Sequence, residues 1–224
     1  MPAVTADQMR EIDRIAVEDF GLGILQMMEN AGRNLAANAI EMLAGQRGEV
    51  AILAGPGGNG GGGLCCARHL RNRGLRVSLV LSRGPSALGG AAAHQLRVLQ
   101  AAGLEPVEAA ESREAIRRSK VTIDALLGYS LRGAPRGRVA ELIALCNEEG
   151  GRVLCLDIPS GLNPTTGDMP GAVVRPERTL TLALPKTGLG RSGGILALAD
   201  IGIPPEVYER LGFSFEWPAA ERYW

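Results

Sequence analysis

The sequence predicts an α/β protein with a three-layer α/β/α, Rossmann-like fold around a mostly parallel central sheet. Short apolar runs, beginning with EVAILA at residue 49 and recurring at 76–81, 121–125, 153–156 and 179–183, alternate with stretches whose apolar residues recur every three or four positions. Strands alternating with helices join by right-handed crossovers into a parallel sheet covered on both faces. The first run leads into seven glycines within residues 55–63, followed by an apolar helical stretch. Polar residues stand just past the apolar runs, where a doubly wound sheet places its ligands, outside the carboxyl ends of the strands.

The elements follow in order. Thr5 and Gln8 form a capping box ahead of Met9, Ile12, Ile15 and Ala16, whose spacing marks the buried face of a first helix. Residues 20–23 break it, and residues 24–44 form a longer helix with Leu25, Met28, Ala31, Leu35, Ala39 and Met42 in register and Gly45 as its stop. Glu29 and Asn30 lie within it, either as ligand contacts or as solvated positions. After the glycine loop, with a helix starting near Gly63, come a strand at 76–81, a helix at 90–102, a strand at 105–108, a helix at 112–118 and a strand at 121–125. A helix at 137–149, a strand at 153–156, a long loop, strands at 179–183 and 195–198, the turn DIGIPP and a helix at 206–211 complete the pattern. The chain ends in an aromatic tail containing Trp217, Tyr223 and Trp224, suited to docking on its own surface or on another subunit.

With 224 residues, 46% of them hydrophobic, the chain buries a substantial core, and residues 1–224 read as one domain without repeat or linker. Lys plus Arg and Asp plus Glu balance at 24 each, so no overall field favours nucleic acid. The N-terminus lacks a basic segment followed by an apolar core, and no run of 18 apolar residues occurs. A cytoplasmic protein without a membrane span is expected. Cys65, Cys66, Cys146 and Cys155 lack C-x-x-C spacing and read as buried reduced thiols, while His69 and His94, with no partner at ligand spacing, read as surface helix residues.

Glycines at this density remove the Cβ atoms that keep backbone amides from a ligand, and the helix start that follows carries unpaired amides and partial positive charge suited to a phosphate. The alternative is a strand-to-helix turn that simply packs closely. Gly55, Gly57 and Gly60 fit the dinucleotide pattern G-x-G-x-x-G, but Ser82 and Arg83 end the next strand where an acidic residue is expected, and no Lys follows as in a Walker A loop. Besides the glycine loop with Asn59, two further segments sit at strand ends, DALLGYSLRG from Asp124 and DIPSGLN from Asp157. Burying those two carboxylates after apolar runs costs free energy unless they do something; capping a turn is the plain alternative for each.

Taken with TADQMREID, MMENAGR, RTLTLALPKTGL and ADIGIP, these segments resemble, in order and over nearly the whole chain, the NAD(P)H-hydrate epimerase family, the YjeF N-terminal domain. The resemblance implies repair of nicotinamide cofactors by interconversion of the R and S epimers of hydrated NADH and NADPH, with a separate dehydratase acting on the S form. It implies a K+ ion held by Asn59, Asp124 and Ser160, an all-oxygen set suited to a hard cation. It implies a substrate site of Gly58, Asn59, Gly60, Gly61 and Gly62, then Gly128, Tyr129, Ser130, Leu131, Arg132, Gly133 and Ala134, with Asp157; Asp157 and Arg132 are its catalytic residues. It also implies a homodimer. The family's glycine loop commonly reads N-N-G-G-D, so Gly58 and Gly62 depart from it, and a lost carboxylate contact at Gly62 is worth about 1.5 to 3 kcal/mol. The alternative readings are a nucleotide-binding scaffold of the same fold without the chemistry, and an NADP dehydrogenase with Arg83 near a 2′-phosphate.

Overall fold

A computed structural model of the chain describes residues 1–46, 48–129 and 133–217. The strands β1 (Glu49–Ala54), β2 (Arg76–Leu81), β3 (Val121–Ala125), β4 (Arg152–Leu156), β5 (Arg178–Leu182) and β6 (Ile195–Ala199) form one sheet ordered β2-β1-β3-β4-β5-β6, every neighbouring pair parallel. The α/β expectation is met, with a sheet that is wholly parallel. Because β2 and β3 flank β1 on opposite sides, the strand order reverses there, and this switch point opens a crevice at the carboxyl ends.

Alternation along β1 shows how the layers form. Val50, Ile52 and Ala54 face one side, against α2 (Ile24–Leu43), α3 (Gly58–Arg71) and α4 (Gly90–Ala101). Ala51 and Leu53 face the other, against α5 (Ser112–Arg117) and α6 (Gly137–Glu149). Both faces are covered, so the strand is apolar throughout. A third cluster lies at the carboxyl end of the sheet, where α1 (Ala6–Arg14) and α7 (Pro205–Glu209) pack on the start of α2 and the segments after β5 and β6. The capping box is formed, with Gln8 N donating to Thr5 Oγ1 at 3.2 Å and Thr5 N to Gln8 Oε1 at 2.8 Å. Past α1 the helix widens into a π turn over Ile15–Asp19. Val4 bridges Lys186, fastening the N-terminus to the segment after β5.

Three expectations are corrected. Residues 105–108 do not form a strand: only Pro106 bridges Leu79, and a proline supplies no N–H to extend a ladder. The helix after β1 starts at Gly58, not near Gly63. Glycine costs about 1 kcal/mol per residue against alanine in a helix, and packing outweighs it, because α3 lies so close to its neighbours that larger residues do not fit. A Cβ on Gly60 would stand 1.8 Å from the Gly55 carbonyl oxygen, one on Gly61 2.5 Å from Met28 Cε and one on Gly63 2.7 Å from Ala125 Cβ. Finally, His69 is buried on α3, where its Nε2 lies 2.9 Å from Glu29 Oε1.

The four cysteines are free and buried, as read. The tail folds back on the chain itself as far as it is described: Phe215 stacks edge-on to Tyr208 at 5.2 Å and to Trp217 at 5.7 Å. Tyr223 and Trp224 lie outside the described residues.

The glycine packing gives a contrast to measure. Gly60→Ala meets backbone that cannot step aside and is expected to cost about 3 kcal/mol or more in urea unfolding. Gly58, whose Cβ would meet nothing within 4 Å, is expected to accept Ala at a cost within about 0.5 kcal/mol.

Candidate active site

The crevice at the switch point is a cleft of about 570 Å³, a size that takes a nucleotide-sized ligand. Its wall is built by the loop after β1 and the start of α3, by Leu126 to Tyr129 after β3, by Asp157 after β4, and by Asp13 of α1 and Met27 and Met28 of α2. Of the residues named from the sequence, Gly58, Asn59, Gly60, Gly62, Gly128, Tyr129 and Asp157 line it. Gly61 faces Met28 instead, Gly133 is exposed and Ala134 lies against Gly171. Ser130, Leu131 and Arg132 lie outside the described residues.

The N-terminus of α3 lines this cleft with Gly57, Gly58, Asn59 and Gly60. No side chain caps it, and Gly57 as N-cap and Gly58 leave open space where side chains would stand. Free amides and the helix dipole suit a phosphate at that point. The glycine run therefore serves two ends: its first residues leave the cleft wall open, and the rest let α3 sink onto α2 and the sheet.

Beneath the cleft floor Asp124 is 0% exposed. Its Oδ1 accepts from Ser160 Oγ at 2.6 Å and Leu126 N at 3.2 Å, and its Oδ2 from Ser160 N at 2.7 Å and Cys155 Sγ at 3.3 Å. Ser160 Oγ in turn accepts from Leu127 N at 2.9 Å. Asn59 reaches the same spot, its amide donating to the carbonyls of Leu127 at 2.8 Å and Leu156 at 3.1 Å. Burial holds the Asp124 carboxyl above its usual range against these donors, and no cationic side chain among the described residues offsets it. A carboxylate, a hydroxyl, a side-chain amide and two carbonyls thus gather here, with Cys155 Sγ present as a donor to Asp124; oxygen atoms of these kinds suit a hard monovalent cation.

Asp157 follows β4 with φ +68°, in the left-handed region that a non-glycine residue occupies only under constraint. The constraint is visible. Its N–H donates to Leu180 O at 2.7 Å, and its Oδ1 accepts from Leu182 N at 3.1 Å, Thr181 Oγ1 at 3.4 Å and the Lys186 ammonium. Asp157 and Lys186 are 3% and 2% exposed, and Lys186 also donates to Leu182 O at 2.8 Å. The ammonium compensates a carboxylate that burial alone would penalise. Oδ2 accepts no hydrogen bond among the described residues, which leaves it for a ligand. Lys186 was not singled out from the sequence; its place in the motif LPKTGL, directly after a strand run, was the available signal.

Asp13 is the second residue missed. It accepts a hydrogen bond from the Tyr129 hydroxyl, and burial lifts its carboxyl above the usual range, while Tyr129 and Lys186 pull it down and Asp157 pushes it up. It sits in TADQMREID as an ordinary polar position of an amphipathic helix.

Glu29 and Asn30, left open from the sequence, are both contacts within the fold. Asn30 Nδ2 donates to Ile201 O at 3.1 Å, tying α2 to the DIGIPP turn. Glu29 accepts from His69, from Cys65 Sγ at 3.3 Å and from Arg68. Glu29, Cys65 and His69 stand close enough to hold a metal ion, but the Arg68 guanidinium already occupies the carboxylate and burial pushes the Cys65 thiol up to about 12, so this cluster reads as an ion-pair network. No helix among the described residues is long and apolar enough to cross a membrane.

Comparison with known proteins agrees with this geometry. The crystal structure of yeast ynu0 superposes with a TM-score of 0.87 over 100% of this chain and 99% of that one, at 20% identity, which speaks to the fold. The NAD(P)H-hydrate epimerase of Dehalogenimonas lykanthroporepellens is 50% identical over 94% of this chain and 86% of its own length, and that of Rhodopirellula baltica is 38% identical over 92% and 87%. The bifunctional NAD(P)H-hydrate repair enzyme Nnr of Salinibacter ruber is 39% identical over 93% of this chain, which spans 42% of it. The family described as YjeF-related protein N-terminus matches residues 24–188, and with the switch-point cleft, the strand-end aspartates and these relatives together, the chain belongs to that family.

Proposed function

We propose that this chain is an NAD(P)H-hydrate epimerase, an isomerase that interconverts the R and S epimers of hydrated NADH and NADPH. The observation that carries the reading is Asp157, held under backbone constraint at a strand end on the cleft, across from the open N-terminus of α3. The substrate's pyrophosphate lies at the α3 amides with Arg132, and its nicotinamide end lies at Asp157, which transfers a proton at C6, the epimerised carbon. In this reading Gly128 and Tyr129 meet the substrate from the cleft wall, and Ser130, Leu131 and Arg132 are assigned to substrate binding from the sequence alone. The named epimerases among the relatives support this activity over a scaffold without chemistry. The free, buried cysteines fit a reducing cytoplasm. The bifunctional relatives support a working link to a dehydratase that consumes the S epimer.

Asn59, Asp124 and Ser160 are the residues that would hold K+, whose positive charge compensates the buried carboxylate and steadies the cleft floor. Exposed Phe20, Ile24 and Leu25 form an apolar patch at the start of α2 that supports a homodimer, a reading that a monomer mass in light scattering at micromolar concentration excludes.

At the two positions that depart from the family's usual loop, the geometry differs. Asn at Gly58 enters open space, whereas a Cβ at Gly62 stands 2.7 Å from Leu156 Cδ2, a side-chain tip that must turn aside.

The central test is interconversion of the purified epimers followed by chromatography. Asp157→Asn, assayed at a temperature where circular dichroism shows it folded, is expected to lower the rate by about a hundredfold or more and also to lower the melting temperature, because it leaves the buried Lys186 ammonium without its carboxylate; parent-level turnover would sink the assignment. A potassium salt is expected to raise the melting temperature relative to tetramethylammonium at equal ionic strength, and Asp124→Asn to abolish that difference; identical melts in both salts refute the ion site. Gly62→Asp is expected to lower the melting temperature more than Gly58→Asn, and if the missing carboxylate is what limits the enzyme, kcat/KM rises about tenfold, or about 1.4 kcal/mol.

A further inference from the structure

The cleft holds two carboxyl groups in different company. Asp157 shares its Oδ1 with the Lys186 ammonium, which keeps a base in place. Asp13 forms no ion pair among the described residues, the Lys186 ammonium acting on it only from beside Asp157. It arrives from α1, is hydrogen-bonded by the Tyr129 hydroxyl and lines the same cleft. Its position is not incidental: the Val4–Lys186 bridge anchors the segment leading into α1 beside the very lysine that serves Asp157. The helix also widens into its π turn just past Asp13, over Ile15–Asp19, a deviation that recurs at functional sites.

We propose that Asp13 is a second catalytic residue, the proton-transfer partner of Asp157 on the opposite face of the substrate ring, with Tyr129 as its positioning residue. This rests on the epimerase reading above. An epimerase must let an oxygen leave from one face of a carbon and arrive at the other, and a single carboxyl on one side handles only one of the two protons. Two carboxyl groups held in different surroundings can divide such work between them.

Starting from the epimer whose C6 hydroxyl faces Asp13, the step balances as follows. Asp13 gives its proton to the hydroxyl, the C6–O bond breaks as the lone pair of the ring nitrogen N1 forms a C6=N1 iminium, and water departs. A second water adds to the other face of the planar carbon, the C6=N1 π pair returns to nitrogen, and Asp157 takes the proton from the added water. One water leaves and one enters, no electron is gained or lost, and C6 is inverted. Asp13 ends ionised and Asp157 protonated, which is the state that runs the reverse direction; exchange with solvent resets it. The surroundings agree with this division: burial raises the Asp13 carboxyl above the usual carboxylate range, while Asp157 carries the Lys186 ammonium on its Oδ1. The groups facing Asp13 are Tyr129 after β3, Asp157 after β4 and Lys186 after β5, with Arg10 of its own helix acting on Tyr129.

The experiment uses the full chain with each purified epimer in water enriched in oxygen-18. Asp13→Asn is expected to lower interconversion by about a hundredfold or more, with binding of NADP unchanged within about threefold. From one epimer only, the one whose hydroxyl faces Asp157, it is still expected to exchange the C6 oxygen faster than the spontaneous rate, with retention of configuration. Asp157→Asn is expected to show the mirror behaviour with the other epimer. Because Tyr129 lowers the pKa of Asp13, Tyr129→Phe is expected to move the corresponding limb of the pH–rate profile upward. Interconversion by Asp13→Asn at the parent rate overturns the proposal, as does loss of oxygen exchange from both epimers, which would mark Asp13 as merely structural. A parent protein that binds NADP but interconverts nothing overturns the epimerase reading itself, a result distinct from failure of the Asp13 variant alone.

Discussion

The site depends on one buried carboxylate. Asp124 stands one residue before the end of the central strand β3 with no exposure, and it survives there because four donors reach it, two of them from Ser160. Those hydrogen bonds do more than satisfy a charge. They pin the loop after β4 to the loop after β3, and Ser160 passes the constraint on by accepting from Leu127 N. Asn59 closes the circuit from the start of α3, reaching carbonyls of both loops. Three strand ends are thus tied at one point, and the residues that face the cleft from those ends inherit a fixed geometry. Among the described residues no cationic side chain stands against this carboxylate.

Asp157 is held by a different device. Its left-handed backbone would relax if nothing opposed it, and what opposes it is the end of β5, through Leu180, Thr181, Leu182 and finally Lys186. The strain and the ion pair belong together: the backbone turns the carboxylate toward β5, and the ammonium makes its burial tolerable. This leaves one carboxylate oxygen for chemistry. The two aspartates that look alike in the sequence, each after an apolar run, therefore sit differently, Asp124 buried among its donors and Asp157 lining the cleft.

The glycine run shows how two constraints share one segment. A helix this close to the preceding loop, a second helix and the sheet has no room for Cβ atoms at Gly60, Gly61 and Gly63, and glycine at Gly57 and Gly58 leaves the cleft wall bare at the helix start. Both demands are met by glycine, so the density of the run overstates how much of it meets the ligand. The helix forms in spite of its glycines because its far half, Leu64 to Leu70, is buried in the core.

Strand and helix alternation, the parallel sheet and the strand ends bearing Asn59, Asp124, Asp157 and Ser160 were legible in the sequence, because apolar periodicity is local and a lone carboxylate after an apolar run is costly enough to stand out. The strand at 105–108 and the late helix start were misread because propensity and spacing carry no information about a proline's missing donor in a ladder or about how near a neighbouring helix lies. Only the tertiary structure decided that Asp13 lines the cleft and that Lys186 backs Asp157. In the sequence one is a solvent-type position on an amphipathic helix and the other a lysine at a strand end, each ordinary in its own surroundings. They meet because Val4 pairs beside Lys186 and carries α1 across the carboxyl edge of the sheet, a long-range pairing whose partners leave no trace in either segment alone.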